Sequence, residues 1–199
     1  MSSNENESKP TSDEEDVRLM LRVKEGDEEA LALLIGKHQD AVVGTVAKML
    51  GSGSDAEDIA QQVFVRIWKS AKKYKPRAKF TTYMFTIMRN LVFNETRRRK
   101  IRKQVSIEEQ NEEWGAQITD TQNKSPDEAS LQSELYQAID KAIANLPEKQ
   151  RMAVILRRYE NTSYDDIAKI VGLSVSAVKS QLFRARVTLK EELEQYLDQ

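Results

Sequence analysis

Apolar residues recur every three or four positions along most of the chain, the spacing that one buried face of an α-helix produces. Strand-like alternation never extends beyond a few residues, and no segment repeats. The sequence therefore predicts an all-α fold. In the first half, a short opening helix is predicted to break at Gly26-Asp27, and Asp27 and Ser54 are placed to cap the next two helices, α2 and α3, the latter reaching about residue 74. A fourth helix, α4, is predicted over about 81–103.

The second half of the chain is predicted to hold four more helices. The first covers about 130–145, and the chain breaks at Leu146-Pro147 before the other three. Between the two halves, residues 104–133 lack a helical period and are too long for an ordinary connection within a compact domain. We therefore expect two small helical domains joined by an extended linker.

The distribution of charge supports this division. Residues 1–16 carry six acidic side chains against one lysine, and residues 104–133 carry seven against one. The positive excess falls within 17–103, whereas 134–199 is balanced. The pattern predicts a disordered acidic tail (1–16), a basic first domain (17–103), an acidic linker (104–133) and a second domain (134–199).

Composition excludes several classes of protein. The chain has no cysteine and one histidine, His38, so a disulfide framework, a thiolate metal site or a histidine-based catalytic site is not expected. Its apolar runs are far shorter than the roughly 20 residues that cross a membrane, and the N-terminus lacks an apolar signal core. We expect a cytoplasmic chain with no membrane span, no metal and no cofactor.

The sharpest pattern lies at 163–190, where Ala168, Gly172 and Val178 stand at the spacing of a helix-turn-helix. A small residue allows close approach of two helices, glycine supplies the positive φ of the turn, and an apolar residue anchors the second helix. Ser174 is placed to cap that second helix.

The second helix of this motif is predicted to present hydroxyls, a ring and cations outward. Such groups suit base edges, thymine methyl groups and phosphates in duplex DNA. No acidic residue occurs between Ile167 and Lys190. An ordinary amphipathic hairpin with a solvated basic face is the alternative. The outward residues, called the α8 face below, are Ser176, Lys179, Ser180, Phe183, Arg184 and Arg186.

The helix after Ser54 is predicted to expose Val65 and Trp68 among polar residues. Exposed apolar side chains in such a setting favour a protein-docking surface, although both could equally pack on a neighbouring helix of the same domain. The predicted docking residues, called the α3 face, are Asp58, Gln61, Gln62, Val65, Trp68 and Lys69.

The helix over 81–103 alternates aromatic residues with Thr, Asn and Arg, and its end holds six bases within 97–103. Rings stack on unpaired bases while cations hold the phosphates, so this pattern favours single-stranded nucleic acid. A basic helix C-terminus is also favoured by the helix dipole, a purely structural alternative. The predicted contacts, called the α4 face, are Lys79, Thr82, Phe85, Arg89, Asn90, Phe93, Arg97 and Arg98.

Together these motifs resemble one family, the extracytoplasmic-function (ECF) group of the sigma-70 family. The similarity covers roughly 17–103 and 134–197, with the motifs in the family's order and separation. The segments that carry it are Gly26–Ala30 with His38, Asp55–Phe64, Phe80–Asn90 with Arg97–Lys100, Leu146-Pro147, Ser163–Ala168 and Val178–Arg186.

The resemblance implies a transcription-initiation factor without catalysis of its own. The α3 face would dock on the β′ subunit of core RNA polymerase, which together with the β subunit would be its partner. The α4 face, with the loop 75–79, would capture unpaired −10 bases of promoter DNA, and the α8 face would enter the −35 major groove. The acidic linker would thread the polymerase cleft, and an anti-sigma factor would regulate the chain.

Three positions depart from the family's usual residues: Tyr83 replaces tryptophan, Asn94 replaces aspartate and Lys179 replaces arginine. Lysine lacks the bidentate fork with which arginine reads guanine, so the preferred −35 sequence stays open.

Two other functions would each explain part of the sequence. A stand-alone helix-turn-helix regulator would explain only 163–190. An enzyme would require Asp55, Glu57 and Asp58 as metal ligands, with no histidine or cysteine beside them.

Overall fold

The computed structural model describes residues 11–51, 55–110 and 128–197, and within these ranges the regular structure is entirely helical. The all-α prediction is therefore confirmed. In chain order the helices are α1 (Ser12–Lys24), α2 (Glu28–Leu50), α3 (Ala56–Ser70), a 3-10 turn (Ala71–Lys73), α4 (Phe80–Gln110), α5 (Glu128–Asn145), α6 (Glu148–Arg158), α7 (Tyr164–Val171), α8 (Val175–Glu192) and α9 (Glu194–Leu197).

Several helix boundaries follow from local chemistry that the sequence displays. Asp27 caps α2 by accepting the Ala30 N–H at 2.9 Å, as predicted. Ser54 lies outside the described residues, and α3 begins after Asp55 without a side-chain cap. The helix ends at Ser70, earlier than the predicted residue 74. Pro76 explains an end in this region, because proline disfavours helical geometry at the residue before it.

The acidic tail was predicted to end too late. Thr11 and Glu14 form a capping box that opens α1, so residues 12–16 are helical rather than disordered. Asp16 is 1 % exposed and accepts a hydrogen bond from Lys37 Nζ at 2.6 Å. Three of the acids that suggested disorder, Asp13, Glu14 and Glu15, lie in the first turn of α1, where the helix dipole favours carboxylates. Residues 1–10 lie outside the described part of the chain.

The predicted linker, residues 104–133, overlaps two helices of the structure. Helix α4 continues to Gln110 and α5 begins at Glu128, so both ends of 104–133 are helical. The residues at the end of α4 include glutamates and glutamines, which have good helix propensity. Residues 111–127 lie outside the described residues.

The helix-turn-helix forms as predicted from α7 and α8. Ser163 and Ser174 cap the two helices, and Gly172 adopts φ +71° in the turn, where a side chain would be strained. Ala168 is 5 % exposed and Val178 is fully buried.

The two halves of the chain lie against each other. One cluster of buried apolar residues extends from Leu19 in α1 to Val178 in α8. Helix α2 packs on α1, α3 and α4 and also on α5 and α6, while α4 packs on α7. The face of α4 that was predicted to bind nucleic acid therefore has a protein neighbour.

Arg151 of α6 connects the ends of two helices. Its guanidinium donates to the carbonyl oxygens of Met49 in α2 (2.6 Å) and Leu146 (3.1 Å), and also to that of Ala144 in α5. These carbonyls lie at helix C-termini, which carry partial negative charge. Burial lowers the pKa of Arg151 from its usual value.

We expect Arg151→Leu to lower the free energy of unfolding by about 3 kcal/mol, because it removes charge-assisted hydrogen bonds and leaves partly buried carbonyls without a donor. Thermal unfolding followed by circular dichroism measures this. Arg158→Leu on the exposed side of the same helix is the matched control and should change the midpoint little. Equal midpoints for the two variants would show that Arg151 does not hold these helix ends.

Among the described helices, none is both long and apolar enough to span a membrane.

Candidate functional site

The α3 face is displayed to solvent. Its polar members are exposed, Val65 is 49 % exposed and Trp68 is half-buried. The opposite side of α3 buries Ile59, Val63 and Ile67 in the core, as the helical pattern predicted. The outer side of this helix thus carries two apolar residues, Val65 and Trp68, that the fold does not fully bury.

These two residues border an open groove of about 1000 Å³ between α2 and α3. The α2 side of the groove supplies Leu31, Ile35 and Val43, which were not predicted from the sequence. The sequence contained a signal for this groove, because apolar residues cover more of the circumference of α2 than a single core-facing stripe needs. Trp68 packs in part against the core, so the two alternatives for this face each describe part of its environment.

The α4 face is divided into an open part and a covered part. Lys79, Asn90, Arg97 and Arg98 are exposed, and Arg89 and Phe93 are half-buried with the guanidinium 5.8 Å from the ring centroid. Thr82 and Phe85 are only 5 % and 3 % exposed. Both were predicted to point outward, and that prediction is wrong for this structure. Thr82 donates a hydrogen bond to Asp166 of α7, and Phe85 borders a small cavity lined by residues of both halves.

A concave basic surface of about 290 Å³ lies next to the open part of the α4 face. Asn90 borders it together with Arg66, Lys69 and Lys73, three cations of α3 and the turn after it. Neither Arg66 nor Lys73 was predicted from the sequence. Arg66 and Lys73 are three and four residues from Lys69, a spacing that places side chains on one side of a helix. This spacing was the sequence signal that could have identified the basic surface.

Two features hold cations of this region in place. Lys79 Nζ pairs with Asp13 Oδ2 of α1 at 2.9 Å, and this hydrogen bond, with the charges of Asp13 and Asp166, raises the pKa of the lysine. Arg99 pairs with Asp55 and with Glu95. The basic cluster at 97–103 therefore includes a structural arginine that ties α4 to the start of α3.

Tyr83, which departs from the resemblance, is half-buried beside α3. Its hydroxyl shares a hydrogen bond of 2.8 Å with Ser70, and its ring centroid lies 5.1 Å from that of Tyr74. Burial raises the pKa of the Tyr74 hydroxyl. The aromatic position thus supports the α3–α4 packing rather than lying free on the surface.

All six residues of the α8 face are exposed, and Phe183 reaches 69 %. Val178 and Ala185 on the opposite side are fully buried. The helix therefore offers an uncovered surface of hydroxyls, one ring and cations. The alternative, a solvated amphipathic face, is compatible with the same exposure.

The acidic residues that an enzyme would need do not form a metal-binding cluster within the described ranges. Asp55 instead pairs with Arg99.

Two families match the chain. Residues 34–102 match Sigma-70 region 2, and residues 136–189 match Sigma-70, region 4. The first match contains α3 and most of α4, and the second contains the helix-turn-helix.

Full-length relatives agree with these matches. The RNA polymerase sigma-H factor of Pseudomonas aeruginosa is 30 % identical over 186 residues, which cover 92 % of this chain and 96 % of the relative. The ECF RNA polymerase sigma-E factor of Escherichia coli K12 is 31 % identical over 180 residues, which cover 88 % and 93 %.

Two solved structures share the fold. CnrH, solved in complex with the cytosolic domain of CnrY, has a TM-score of 0.67 at 20 % identity and covers 91 % of this chain, which covers 98 % of that one. The sigma factor RpoE of Bartonella quintana, solved with the anti-sigma factor NepR, has a TM-score of 0.61 at 24 % identity, with 82 % and 96 % covered.

Proposed function

The chain belongs to the ECF group of the sigma-70 family, and from this premise we propose that its three faces divide the work of promoter recognition. As a sigma factor, it serves promoter-specific initiation of transcription by RNA polymerase. The observation that carries the proposal is the presence in one chain of the exposed α8 face, the aromatic and basic α4 face and the apolar groove beside the α3 face.

In this proposal residues 17–103 act as region 2 and residues 134–199 as region 4, preceded by the tail and joined by the acidic linker. Since α1 begins at Ser12, the first unit extends further towards the N-terminus than the predicted boundary. Repulsion from DNA keeps the acidic linker from binding the template nonspecifically. No residue is assigned a catalytic role.

The α3 face and its groove dock on core polymerase, with the β′ subunit as the main contact. An apolar groove bordered by a half-buried tryptophan and an exposed valine provides the desolvated centre that protein interfaces require. The surrounding Asp58, Gln62 and Lys69 supply a polar rim.

The α4 face captures unpaired bases of the −10 element. Asn90 lies beside the concave basic surface, so an extruded base and its phosphates would find an amide and several cations together. Extrusion costs a few kcal/mol of stacking, which these contacts offset. The α8 face reads the −35 duplex in the major groove.

An anti-sigma factor is proposed as a further partner, since the RpoE relative of the same fold was solved with one.

The proposal is tested by adding the purified chain to core polymerase and measuring promoter-directed transcription from genomic fragments. Enriched start sites that depend on the chain are the expected result. Tight, sequence-specific duplex binding without polymerase, and no promoter-directed transcription with it, would support the stand-alone regulator instead.

Two substitutions on the α8 face should have different effects. Lys179→Ala removes a base-edge contact, so it should cost about 1–3 kcal/mol and relax the preference at one −35 position. Arg186→Ala, assigned to phosphate, should weaken all promoters similarly and reduce the salt slope by about one. Binding of the holoenzyme to a −35 sequence library at several salt concentrations measures both. Identical sequence preferences for the Lys179 variant and the unchanged chain would remove Lys179 from the reading surface.

A further inference from the structure

The basic loop between α3 and α4, residues 75–79, is fixed at both ends by buried rings. Tyr74 precedes the loop and Phe80 follows it, and both are buried. The Tyr83 ring lies between these two, with its centroid 5.1 Å from that of Tyr74 and 6.4 Å from that of Phe80. The loop therefore presents its charges from a fixed base. Its exposed cations are Lys75, Arg77 and Lys79.

Helix α1 contacts both ends of this loop. Lys24 Nζ, at the end of α1, donates to the carbonyl oxygen of Tyr74 at 3.5 Å. Asp13 Oδ2, in the first turn of α1, pairs with Lys79 Nζ at 2.9 Å. The helix also packs on the 3-10 turn before the loop and on α4 after it. Opposite ends of one helix thus hold opposite ends of the loop.

A buried polar contact fixes α1 relative to the start of α4. The Asp16 carboxylate accepts a hydrogen bond from Lys37 Nζ at 2.6 Å, and its other oxygen lies 2.9 Å from His38 Nε2. The His38 ring packs in turn on Phe80, with centroids 5.4 Å apart. A buried carboxylate that loses its partners is strongly destabilising, so α1 cannot shift along α2 without a large cost. The position of α1 therefore also determines where Phe80, the first residue of α4, lies.

The ion pair between Asp13 and Lys79 is suited to an exchange with DNA. The lysine side chain is 51 % exposed and the aspartate side chain 44 %, and ion pairs this exposed contribute little net stability. A DNA phosphate can therefore replace the carboxylate at little cost. Because the lysine is already held at the end of the loop, less conformational entropy is lost when DNA binds.

We propose that α1 positions the loop 75–79 for capture of an unpaired −10 base, with Asp13, Asp16 and Lys24 as positioning residues that do not touch the base. This inference rests on the proposed function, because Lys79 belongs to the α4 face, to which −10 DNA is assigned. It extends that function to a helix outside residues 34–102, the part of the chain that matches Sigma-70 region 2.

The first test releases both ends of the loop in one chain, called the released variant, with Asp13→Asn and Lys24→Met. Glu15→Gln with Arg18→Met is the matched control, because it makes the same two changes of charge elsewhere on α1. Glu15 pairs with Lys37 of α2, and Arg18 is exposed.

Each chain is combined with core polymerase and with a promoter found by the genomic transcription assay. The non-template strand of this promoter is randomised over the −10 positions and left unpaired there, so that melting does not contribute. Sequencing of the retained DNA gives the −10 preference, defined as enrichment of the best −10 sequence over the library average.

We expect the released variant to lose about fivefold of the −10 preference, the combined size of two exposed charge contacts, and the control to keep it. Thermal unfolding should give similar midpoints for both variants, since none of the four substituted side chains is buried. Equal −10 preference in the two variants would overturn the inference, whether both keep it or both lose it.

A double-mutant cycle separates positioning from simple support of the fold. Asp13→Asn is made in the unchanged chain and in a chain that carries Lys79→Gln. If Asp13 acts through Lys79, the change should lower the −10 preference about two- to threefold in the first background and have no effect in the second. A loss of similar size in both backgrounds would show that Asp13 only supports α1, and the inference would be wrong.

A measurement on the free chain reports the order of the loop directly. The sequence has no cysteine, so Ala78→Cys provides a single site in the loop for a nitroxide spin label. We expect the label to be more mobile in the released variant than in the control, because two contacts that hold the loop are gone. Identical spectra for the two would show that α1 does not order the loop, which also overturns the inference.

The two proposals fail in different ways. If the unchanged chain shows no −10 preference with core polymerase, the proposed function is wrong, and the positioning role falls with it. If the unchanged chain shows this preference and the released variant keeps it in full, the proposed function survives and the positioning role of α1 is wrong.

Discussion

Val65→Glu is expected to abolish most co-purification of the chain with core RNA polymerase. The side chain is 49 % exposed at the edge of the apolar groove, so the change does not disturb the core of the free protein. In the complex it would bury a carboxylate in an apolar contact without a partner. We expect a loss of about 2–4 kcal/mol, or at least about 30-fold in affinity, measured by pull-down and by fluorescence titration.

Leu33→Glu is the matched control for this variant. Leu33 lies on α2, is 57 % exposed, and does not line the groove. The same apolar-to-acid change there should leave polymerase binding within about twofold, since exposed rim positions contribute little. If both variants bind polymerase as the unchanged chain does, with unaltered helicity, the α3 face is not the docking surface.

Asn90→Ala is expected to slow promoter opening by about tenfold while −35 binding stays intact. The amide is exposed at the concave basic surface, and the substitution removes its contact to an unpaired base. Loss of one base-specific contact costs about 1–3 kcal/mol, which corresponds to a rate change of this size. Stopped-flow fluorescence of a probe in the −10 region measures the opening rate, and footprinting reports −35 occupancy.

Asn94→Ala is the comparison variant, because this asparagine is exposed one turn further along α4 and does not border the concave surface. It should open promoters at a rate close to that of the unchanged chain. A template already unpaired across the −10 region distinguishes two defects. Transcription from this template should recover for a variant that only melts DNA slowly, and should not recover for one that has lost base capture. Normal opening by Asn90→Ala would remove this residue from the −10 surface.

Phe85→Ala is a less direct test than the sequence suggested. A solvent-exposed ring was expected to stack on DNA, and its removal was expected to slow opening in the same way as the asparagine change. The ring is 3 % exposed and borders a small cavity lined by residues of both halves of the chain, so the substitution also removes buried packing and destabilises the fold. Its effects on stability and on binding are therefore mixed.

Local patterns determined how much of the fold could be predicted. The caps at Asp27 and Ser174 and the positive φ of Gly172 depend on a few neighbouring residues, and all three were predicted. The buried stripe of α3 follows from helical periodicity alone. These features need no knowledge of distant parts of the chain.

Features that depend on distant contacts were not predictable in the same way. Helical periodicity alone assigned Thr82 to the solvent side of α4. Asp166, 84 positions further along, decides otherwise. Likewise, Asp16 belonged to an acidic stretch by composition, and only its pairing with Lys37 reveals a buried carboxylate.

The length of α4 has a consequence for the geometry of an opening promoter. At about 1.5 Å per residue, its 31 residues form a rod of roughly 46 Å, and Arg97 lies about 10 Å along the axis from Asn90. Successive base pairs rise by about 3.4 Å, so this interval corresponds to about three base pairs. If Asn90 holds the first extruded base, the cations from Arg97 onward meet the intact double helix a few steps upstream. The distance between these residues along α4 would then determine where strand separation begins.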